Sequence, residues 1–565
     1  MKYLALGNGK INRIGLLIIS CCLHVVCFAT AVDGVVQVKT IGYHVPAILG
    51  EDDNPLMRIE IVISGSKAVT LNQLAFNLCN RLSHAGIAAM KINYKGDDFA
   101  GDEPDSIVPT TFGAGAVDGP SVVVSGSLKL LPGRHCFDVV VGLTDDADLG
   151  SLFICHLTRV QVDGKLLRLP DVATSPAYLR PAAVVRRHMQ DGVHTSRIPG
   201  LATTQNGTLL AIFDARYDSR RDLQGDMDIG LHRSTDGGQT WEPLRIAMDM
   251  GEWGGLPQKF NGVSDACILV DRNSDAIYIA GLWMHGVIND AGEWVEHLTD
   301  TSTVWNHQWR TKGSQPGFGV KQTSQFLVVK STDDGKTWSD PVNLTAQCKR
   351  EEWWLWAPAP GNGITMTDGT LVFPTQGRDA AGKSFSNITY STDGGKTWET
   401  SNQALAVPAG TTECAVVELA DGSLMLNMRA NRNRGNTGPD NGRAIAVTND
   451  MGKTWQEHPT SFRALPEPTC MASLYKHKYV VDGETERLLL FLNPNSKSVR
   501  ENMTVKVSFD EGLTWPRENW ILLDAGRSSG YSCITAIDNG EIGVLYESSR
   551  ADLVFQKISV NELID

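Results

Sequence analysis

The sequence predicts an all-β protein, a six-bladed β-propeller preceded by a jelly-roll-like β-sandwich, and three observations support this prediction. An eight-residue phrase, Ser/Thr-x-Asp-x-Gly-x-Thr-Trp, recurs five times and ends at Trp241, Trp338, Trp398, Trp455 and Trp515. The copies are spaced by about 60 residues, the length of a four-stranded blade, apart from one gap of about 100. A long N-terminal segment has β-rich stretches but no copy of the phrase.

Each phrase has the chemistry of a hairpin turn. The Asp side chain can accept hydrogen bonds from backbone N–H groups ahead of it, the Gly supplies a backbone conformation that other residues resist, and the Trp packs beneath the turn. Five copies of one turn cannot all line one active site, so the phrases indicate architecture and not chemistry.

The N-terminal segment 1–31 has the pattern of a secretory signal peptide. Lys2, Lys10 and Arg13 precede an apolar stretch over 14–28, and small residues follow it. The chain is therefore expected to be secreted or periplasmic. An alternative is an outer-membrane lipoprotein cleaved before Cys21.

Residues 32–178 are predicted to form the sandwich. Stretches such as 58–64, 121–125 and 136–143 are rich in β-formers and are separated by turn residues, without helical periodicity. The domain either binds carbohydrate or only packs against the propeller. A connector punctuated by Pro170, Pro176 and Pro181 leads into the propeller, residues 179–565.

The long gap between the first two phrases is explained by an insertion. Between Trp283 and Gln325 the sequence is rich in Trp, His, Gly and Thr and is predicted to form long loops. Long loops on a rigid scaffold often carry binding residues.

Composition excludes several classes of partner. The 565 residues carry a net charge of −13, which argues against nucleic acid or an anionic membrane surface as partner. No stretch after the signal segment reaches transmembrane length without charges. The eight cysteines beyond that segment have no Cys-x-x-Cys spacing and are predicted to be buried free thiols, and no His pair has ligand spacing. Neither a metal nor another cofactor is expected.

A second set of polar residues lies outside the phrases, where arginines and carboxylates interrupt apolar strand ends. Its members are Arg197, Arg216, Asp222, Asp265, Glu413, Arg429, Arg500, Tyr531 and Glu547. One or two residues per blade, near strand ends, is how a propeller assembles a central site.

In this arrangement the chain resembles the exo-sialidases of the Asp-box neuraminidase family. The resemblance covers about Ala182 to the C-terminus and rests on order as well as motif. Arg-Ile-Pro at 197–199 comes first, followed by five phrases, Glu-Cys at 413–414, two further arginines and a late tyrosine.

The resemblance implies that three arginines, Arg197, Arg429 and Arg500, bind the carboxylate of a sialic acid. Planar guanidinium groups suit that role because they form paired, charge-assisted hydrogen bonds to carboxylates. By the same resemblance Glu547 pairs with Arg197 and offsets the repulsion among the three cations.

The catalytic residues implied by the resemblance are Tyr531 as nucleophile, Glu413 as its base and Asp222 as general acid and base. A neutral phenol avoids the repulsion that a carboxylate nucleophile would meet beside the substrate's own carboxylate. Asp218, Asp226 and Asp228 lie in the same acidic segment as Asp222.

The remaining implied contacts concern the sugar's substituents. Arg216 and Asp265 match positions near the 4-hydroxyl and N-acetyl side, Trp283 is a candidate wall for the acetyl methyl, and Gln376 could reach the glycerol chain.

The function expected from these residues is an exo-α-sialidase that hydrolyses terminal α-linked sialic acids from glycoproteins, glycolipids and oligosaccharides. Retention through a covalent sialyl-tyrosine is implied, and the protein is expected to be a monomer. Alternatives are a trans-sialidase or an intramolecular trans-sialidase. A different class, a catalytically silent sialic-acid-binding propeller, predicts loss of Asp222, Glu413 or Tyr531, and all three are present.

Overall fold

The computed structural model describes residues 35–80, 86–97, 110–169, 175–307, 309, 313–481 and 483–564. The predicted signal segment, including Cys21, lies outside the described residues, as does Pro170 of the predicted connector. Among the described residues no helix is long and apolar enough to cross a membrane.

The N-terminal part of the chain folds into two facing antiparallel sheets. Their strand orders are β1-β3-β8-β5-β6 and β10-β9-β4-β7, with β11 also paired to β9. The strands are β1 Val35–Gly42, β2 Ala47–Ile48, β3 Asn54–Ile63, β4 Val69–Asn80, β5 Ile87–Asp97, β6 Thr110–Ala116, β7 Ser121–Leu130, β8 Gly133–Leu143, β9 Phe153–Val162, β10 Lys165–Arg168 and β11 Ala177–Leu179.

The two sheets enclose one hydrophobic core, as expected for a β-sandwich. Side chains alternate between core and surface along β3, so that Ile59, Ile61 and Ile63 point inward. They share one core with Phe137 of the neighbouring strand β8 and Phe76 of β4 in the facing sheet. The same alternation turns Cys79 outward. The prediction of buried free thiols is therefore wrong for Cys79, which is exposed, and confirmed for the other seven cysteines.

The rest of the chain forms six sheets of four or five strands each, which are the six predicted blades. Their strands are β12 Pro181–Arg186, β13 Thr195–Thr203, β14 Leu209–Arg216, β15 Met227–Ser234, β16 Arg245–Met248, β17 Val263–Val270, β18 Ile277–Trp283, β19 Gln325–Ser331, β20 Val342–Asn343, β21 Leu355–Pro358, β22 Gly361–Asn362, β23 Ile364–Thr365, β24 Leu371–Arg378, β25 Ser384–Ser391, β26 Glu399–Thr400, β27 Thr411–Glu418, β28 Leu424–Ala430, β29 Ala444–Thr448, β30 Gln456–Glu457, β31 Ser473–Val481, β32 Glu484–Pro494, β33 Met503–Ser508, β34 Ile521–Asp524, β35 Ser532–Ala536, β36 Glu541–Tyr546 and β37 Leu553–Ser559.

Blades 1, 4 and 5 are the four-stranded sheets that begin with β13, β27 and β31, and blade 2 contains β17 to β20 with β22. Blade 3 contains β21 and β23 to β26. Successive blades pack apolar faces together, as Ile212 of blade 1 does with Ile268 of blade 2. The predicted all-β architecture, a propeller preceded by a sandwich, is confirmed.

Each of the five phrases forms the turn that leads into the outermost strand of its blade, which is β16, β20, β26, β30 or β34 in blades 1 to 5. Blade 6 contains β35, β36, β37 and β12. It has no such turn, because β12 comes from a much earlier part of the chain than β37. There β12 pairs antiparallel with the last strand, β37, and closes the ring of blades. The break between the third and fourth strands of blade 6 explains why six blades need only five phrases.

The sandwich segment also contributes a strand to blade 6. The two-residue strand β2 pairs in parallel with β12, and Glu51 just after it forms ion pairs with Arg187 and Arg550 of the propeller. Leu149 of the sandwich segment packs in a propeller core cluster with Val185. The two domains are thus joined by main-chain, ionic and apolar contacts.

Helical structure among the described residues is sparse. It comprises α1 Thr345–Cys348, α2 Val560–Ile564 and short 3₁₀ segments. The described part of the insertion between β18 and β19 contains no β-strand, in agreement with the predicted long loops. Its one isolated β-bridge joins Ile288 and Trp294.

Candidate active site

Three inner strands of the propeller carry a β-bulge at the end where the predicted site residues lie. The strand register shifts between Arg197 and Gly200 in β13, between Ser264 and Cys267 in β17, and between Thr411 and Cys414 in β27. Bulges re-aim side chains and concentrate beside active sites.

Two residues within these bulges have strained backbones. Ile198 has φ 60° and Asp265 has φ 56°. A β-branched residue with positive φ is a genuine outlier, and such strain persists only where surrounding contacts hold it. For Ile198 one holding contact is visible, because its N–H donates to Glu547 at 3.0 Å.

Glu547 is the anchor of Arg197. The Arg197 Nε atom lies 2.5 Å from Glu547 Oε1, and its Nη2 atom lies 3.4 Å from Oε2. The Tyr531 N–H also donates to Oε2, at 2.8 Å. Burial raises the pKa of Glu547, but Arg197 and the two backbone donors outweigh burial and lower it overall. Glu547 is therefore a carboxylate that fixes both Arg197 and the start of β35.

Tyr531, Glu413 and Arg429 form a second hydrogen-bonded group. The Tyr531 hydroxyl donates to Glu413 Oε1, and Arg429 Nη1 donates to Glu413 Oε2 at 2.6 Å and to the Tyr531 oxygen at 3.2 Å. Glu413 and Tyr531 are 8% and 6% exposed. A phenol hydroxyl is thus bonded to a buried carboxylate that can accept its proton.

Two further guanidinium groups lie against the Tyr531 ring. The Cζ atoms of Arg197 and Arg500 are 5.3 Å and 5.5 Å from the ring centroid. Arg500 is held by the carbonyl oxygens of Ser529, at 2.8 Å, and Thr469, at 3.3 Å. All three predicted arginines therefore surround one tyrosine.

The charged groups around Tyr531 have opposing effects on the pKa of its hydroxyl. Burial and the nearby Glu413 raise the pKa of the Tyr531 hydroxyl well above its usual value, whereas Arg429 and Arg500 lower it. The hydroxyl is neutral at rest, and any increase in its negative charge requires its proton to move to Glu413.

Arg216 holds two aspartates, Asp214 and Asp222, in a second part of the site. It is fully buried at the end of β14, and its Nη1 atom donates to Asp222 Oδ1 at 2.8 Å. Its Nη2 atom donates to Asp214 Oδ2 at 2.9 Å. Asp214 Oδ1 in turn accepts the N–H of Asp265 at 3.1 Å. Asp222 is the accessible member, with a side chain that is 48% exposed.

Asp214 and Asp265 are the buried acids of this side. Burial raises the pKa of Asp214 to about 6 against the lowering effect of Arg216. Burial also raises the pKa of Asp265 well above its usual value, with Asp214, Glu413 and Asp222 adding to the rise. These electrostatic couplings join the Arg216 side of the cluster to the Glu413 side.

Two residues predicted to contact the sugar, Trp283 and Gln376, make no hydrogen bond to the site residues described above. Trp283 is 2% exposed in the apolar core between blades 1 and 2, with its ring centroid 5.0 Å from that of Trp253. Gln376 donates to the carbonyl of Pro358 at 3.2 Å. Neither side chain is hydrogen-bonded to the cluster, and their contacts with a sugar stay predictions.

Sequence reasoning assigned no role to three polar residues beside the site. Asp214 holds Arg216, and the fully buried Glu467 accepts the N–H of Ala430, next to Arg429, at 2.8 Å. His307, in the inserted loops, lies 3.2 Å from Asp222 Oδ2 through its Nε2 atom. Asp214 could have been found from its spacing of two residues from Arg216 on one strand, whereas Glu467 and His307 lie in irregular segments without a pattern.

The charge arrangement suits an anionic ligand. Three arginines surround a neutral phenol and can bind a carboxylate, and the exposed carboxylate of Asp222 lies near enough to Arg197 to interact with it electrostatically. Among the described residues no group of three or more His, Cys, Asp or Glu side chains is arranged to hold a metal ion.

Comparisons with known proteins agree with this arrangement. Residues 198–515 match the BNR repeat-like domain, and residues 34–166 match the N-terminal domain of BNR-repeat neuraminidase. The chain is 38% identical over 562 residues to a sialidase of Bacteroides fragilis, covering 95% of this chain and 98% of that protein. It is 32% identical to a sialidase of Paraclostridium sordellii, covering 62% of this chain and 81% of the relative.

A solved structure is similar over almost the whole chain. The Hadza microbial sialidase Hz136 superposes with a TM-score of 0.80 at 34% sequence identity. The match covers 93% of this chain and 100% of that one, so both the sandwich and the propeller are included.

Proposed function

This chain belongs to the BNR-repeat neuraminidase family and is a sialidase, a glycoside hydrolase, and from that premise we propose that it releases terminal α-linked sialic acids from glycoproteins, glycolipids and oligosaccharides with retention, through a covalent sialyl-tyrosine. One observation supports the proposal above all others. The Tyr531 hydroxyl is bonded to the buried Glu413, and the guanidinium groups of Arg197, Arg429 and Arg500 surround it.

The substrate carboxylate would bind to the three arginines. A sialic acid carries this group on its anomeric carbon. Binding of the carboxylate to the arginines would therefore place the reacting carbon close to the Tyr531 hydroxyl. Arginine is suited to this role because its planar fork forms paired hydrogen bonds to a carboxylate. Glu547 keeps Arg197 fixed before substrate arrives, which reduces the ordering cost of binding.

In the first chemical step the Tyr531 oxygen attacks the anomeric carbon while its proton passes to Glu413. The bond from the anomeric carbon to the glycosidic oxygen breaks, and that oxygen takes a proton from Asp222. A neutral nucleophile is favoured here, because two anions within about 4 Å repel strongly in a site of low dielectric. The arginines stabilise the negative charge that develops on the phenol oxygen.

In the second step Asp222 acts as base. It accepts a proton from water as the water oxygen attacks the anomeric carbon, and the Tyr531 oxygen leaves and recovers its proton from Glu413. The two inversions together give retention.

Asp222 must be protonated when the first step begins, although its resting surroundings favour the carboxylate. Burial raises its pKa, but the His307 hydrogen bond and the charges of Arg216 and Arg197 outweigh burial and lower it. A bound substrate carboxylate would neutralise Arg197 and add a negative charge nearby. Both effects raise the pKa of Asp222, so that substrate binding itself favours the protonated acid.

The proposal is tested by following hydrolysis of an aryl α-sialoside by NMR, with wild type and Tyr531→Phe in parallel. Retention predicts that the α-anomer of sialic acid appears first and then equilibrates to the β-anomer. Tyr531→Phe removes the nucleophilic oxygen and leaves the ring in place, so kcat is expected to fall by about a thousandfold.

Three outcomes would contradict parts of the proposal. The β-anomer appearing first would exclude retention, and wild-type kcat in Tyr531→Phe would exclude the sialyl-tyrosine. A product lacking the elements of water would redirect the function to intramolecular transfer. Thermal unfolding of Tyr531→Phe serves as the control for intact folding.

A further inference from the structure

The insertion between β18 and β19 contacts the loop that carries Asp222 at two points. The His307 Nε2 atom lies 3.2 Å from Asp222 Oδ2. The guanidinium carbon of Arg221, the residue just before Asp222, lies 4.9 Å from the ring centroid of Trp305. These contacts come from a segment outside the repeat that builds the blades.

The direction of the His307 hydrogen bond follows from its other ring nitrogen. The backbone N–H of Trp309 donates to His307 Nδ1 at 3.1 Å, so Nδ1 is an acceptor and the proton of a neutral ring lies on Nε2. The Nε2–H group therefore donates to Asp222.

His307 is held firmly enough to position a neighbour. Its side chain is 12% exposed. Asn306 donates to the carbonyl of Ile288 at 2.6 Å, and Arg378 of blade 3 donates to the carbonyl of Trp309. Trp309 itself packs against an apolar cluster that includes Leu355.

Asp222, in contrast, depends on its partners for orientation. It lies in an irregular loop between β14 and β15, and its side chain is 48% exposed. Arg216 holds Oδ1 at 2.8 Å and His307 holds Oδ2. The other charged groups that act on it, Arg197, Asp214 and Asp265, belong to inner strands of the propeller and act through space.

We propose that His307 is a positioning residue for the general acid and base, donating its Nε2–H to Asp222 and, together with Arg216, fixing the plane of that carboxylate toward the glycosidic oxygen. The inference rests on the proposed role of Asp222. His307 supplies a hydrogen bond and not a proton. Its loss leaves Asp222 held at one oxygen only, and a misplaced acid delays bond cleavage most where the leaving group needs a proton.

The test compares two substrates with leaving groups of different acidity. An aryl α-sialoside that releases an acidic phenol needs little protonation, whereas sialyllactose releases a sugar alkoxide unless the acid acts. We expect His307→Ala to lower kcat/KM for sialyllactose by about 10- to 100-fold and kcat/KM for the aryl sialoside by less than about threefold. The ratio kcat/KM is the relevant quantity because it excludes the second step, which is the same for both substrates. KM should change little, because His307 is not among the groups that bind the carboxylate.

A conservative variant separates hydrogen bonding from proton transfer. His307→Gln keeps a side-chain N–H that can reach Asp222 but cannot titrate, and we expect it to retain most of the sialyllactose activity. His297→Gln is the matched control. His297 lies exposed in the same insertion, and its substitution should leave both substrates unaffected.

The pH profile gives a second readout that a purely structural role would not move. The hydrogen bond from His307 stabilises the charged form of Asp222, so its removal raises the pKa of that carboxyl. The limb of the kcat/KM profile that reports deprotonation of the acid should therefore move to higher pH in His307→Ala and stay in place in His307→Gln and His297→Gln.

Two results would overturn the inference. One is an equal loss on both substrates in His307→Ala, and the other is a His307→Gln variant as impaired as His307→Ala. Asp222→Asn separates the inference from the proposed function. If Asp222→Asn fails to discriminate between the substrates, the acid role itself fails. If it discriminates and His307→Ala does not, only the role of His307 fails.

Discussion

The five hairpins formed by the repeated phrases use the same kinds of polar group as the proposed catalytic cluster, but the two are built in opposite ways. The proposed catalytic cluster is the hydrogen-bonded group of Arg197, Glu547, Tyr531, Glu413 and Arg429. In the hairpin of blade 2, Asp333 accepts the N–H of Thr337 at 2.9 Å and its hydroxyl proton at 2.6 Å, and the Ser331 hydroxyl donates to the same carboxylate at 2.8 Å. The same bonds recur around Asp393. Every partner lies within one eight-residue phrase.

The catalytic cluster has no such local closure. Arg197 and Glu547 are 350 residues apart in the chain, and Tyr531 and Glu413 are 118 apart. Arg197 lies in blade 1, Glu413 lies in blade 4, and Tyr531 and Glu547 flank strands of blade 6. The blades are held in place by their hairpins and cores. The difference teaches that the local network can be repeated along the chain because it carries its own partners, whereas the site needs the whole propeller to bring its residues together.

Among the variants that test this comparison, the largest expected effect comes from breaking a long-range pair. Glu547→Gln removes the charge that holds Arg197 and places an amide where both Ile198 and Tyr531 donate backbone N–H groups. Removing one partner of a buried ion pair typically costs about 3–5 kcal/mol. We expect kcat/KM for an aryl sialoside to fall by at least about a hundredfold, a loss of about 3 kcal/mol in transition-state stabilisation.

A matched pair outside the site tests whether this loss is specific. Glu562 pairs with Arg180 at 2.6 Å, and its side chain is as buried as that of Glu413. Glu562→Gln should lower the unfolding temperature and leave kcat/KM unchanged. If both variants lose activity equally, the contrast between site and scaffold is wrong.

The second largest effect is expected for a hairpin tryptophan, whose loss should lower stability and leave the catalytic activity unchanged. Trp398 ends the hairpin phrase of blade 3, is 4% exposed and stacks on Phe373 with ring centroids 5.2 Å apart. Trp398→Ala should reduce the free energy of unfolding by about 3 kcal/mol, because it leaves a large cavity. The KM and kcat of the folded enzyme should stay at wild-type values.

Trp455, the matching residue of blade 4, is the control for burial. It is only partly buried, and its Nε1–H donates to the carbonyl of Asn402. Trp455→Ala should destabilise less than Trp398→Ala, as measured by thermal unfolding. A KM change in either variant would mean that the hairpins reach the site.

The same contrast explains what the sequence could predict. The phrases predict the blades because every bond of the hairpin lies within eight residues. The pairing of β2 with β12 is not predictable in this way, since it is two residues long and joins parts of the chain about 130 residues apart. The sequence also does not explain why a sixth phrase is absent. The reason is the pairing of β12 with β37, which leaves blade 6 without a turn at that position.

For the site, the family resemblance predicted Arg197, Glu413, Arg429 and Tyr531, and the fold brings these side chains together. The bulges that aim them were not predictable, because a register shift depends on the partner strand. His307 was not predictable either. It lies in loops without a repeat, and only the three-dimensional contact with Asp222 connects it to the site.

The smallest effect concerns a single hairpin carboxylate and is best seen through pH. Partial burial raises the pKa of Asp333, but bonds from Thr337, Ser331 and Lys336 outweigh it and lower the pKa to about 2. Because the folded-state pKa is below the unfolded value of about 4, the stabilisation is fully present above pH 4 and is lost as the pH falls through 2. Asp333→Asn should therefore lower the unfolding temperature by about 2 °C at neutral pH. That difference should shrink steadily below pH 4.

Asp340, an exposed aspartate two residues after the same phrase, supplies the control for this last measurement. Asp340→Asn makes the same chemical change without removing the hairpin bonds, so its unfolding temperature should follow wild type at every pH. A difference between Asp333→Asn and wild type that persists undiminished at pH 3 would mean that geometry, and not charge, is what the carboxylate contributes. The hairpin would then differ from the proposed catalytic cluster in its electrostatics, because the charge of Glu547 in that cluster is paired with Arg197 of another blade.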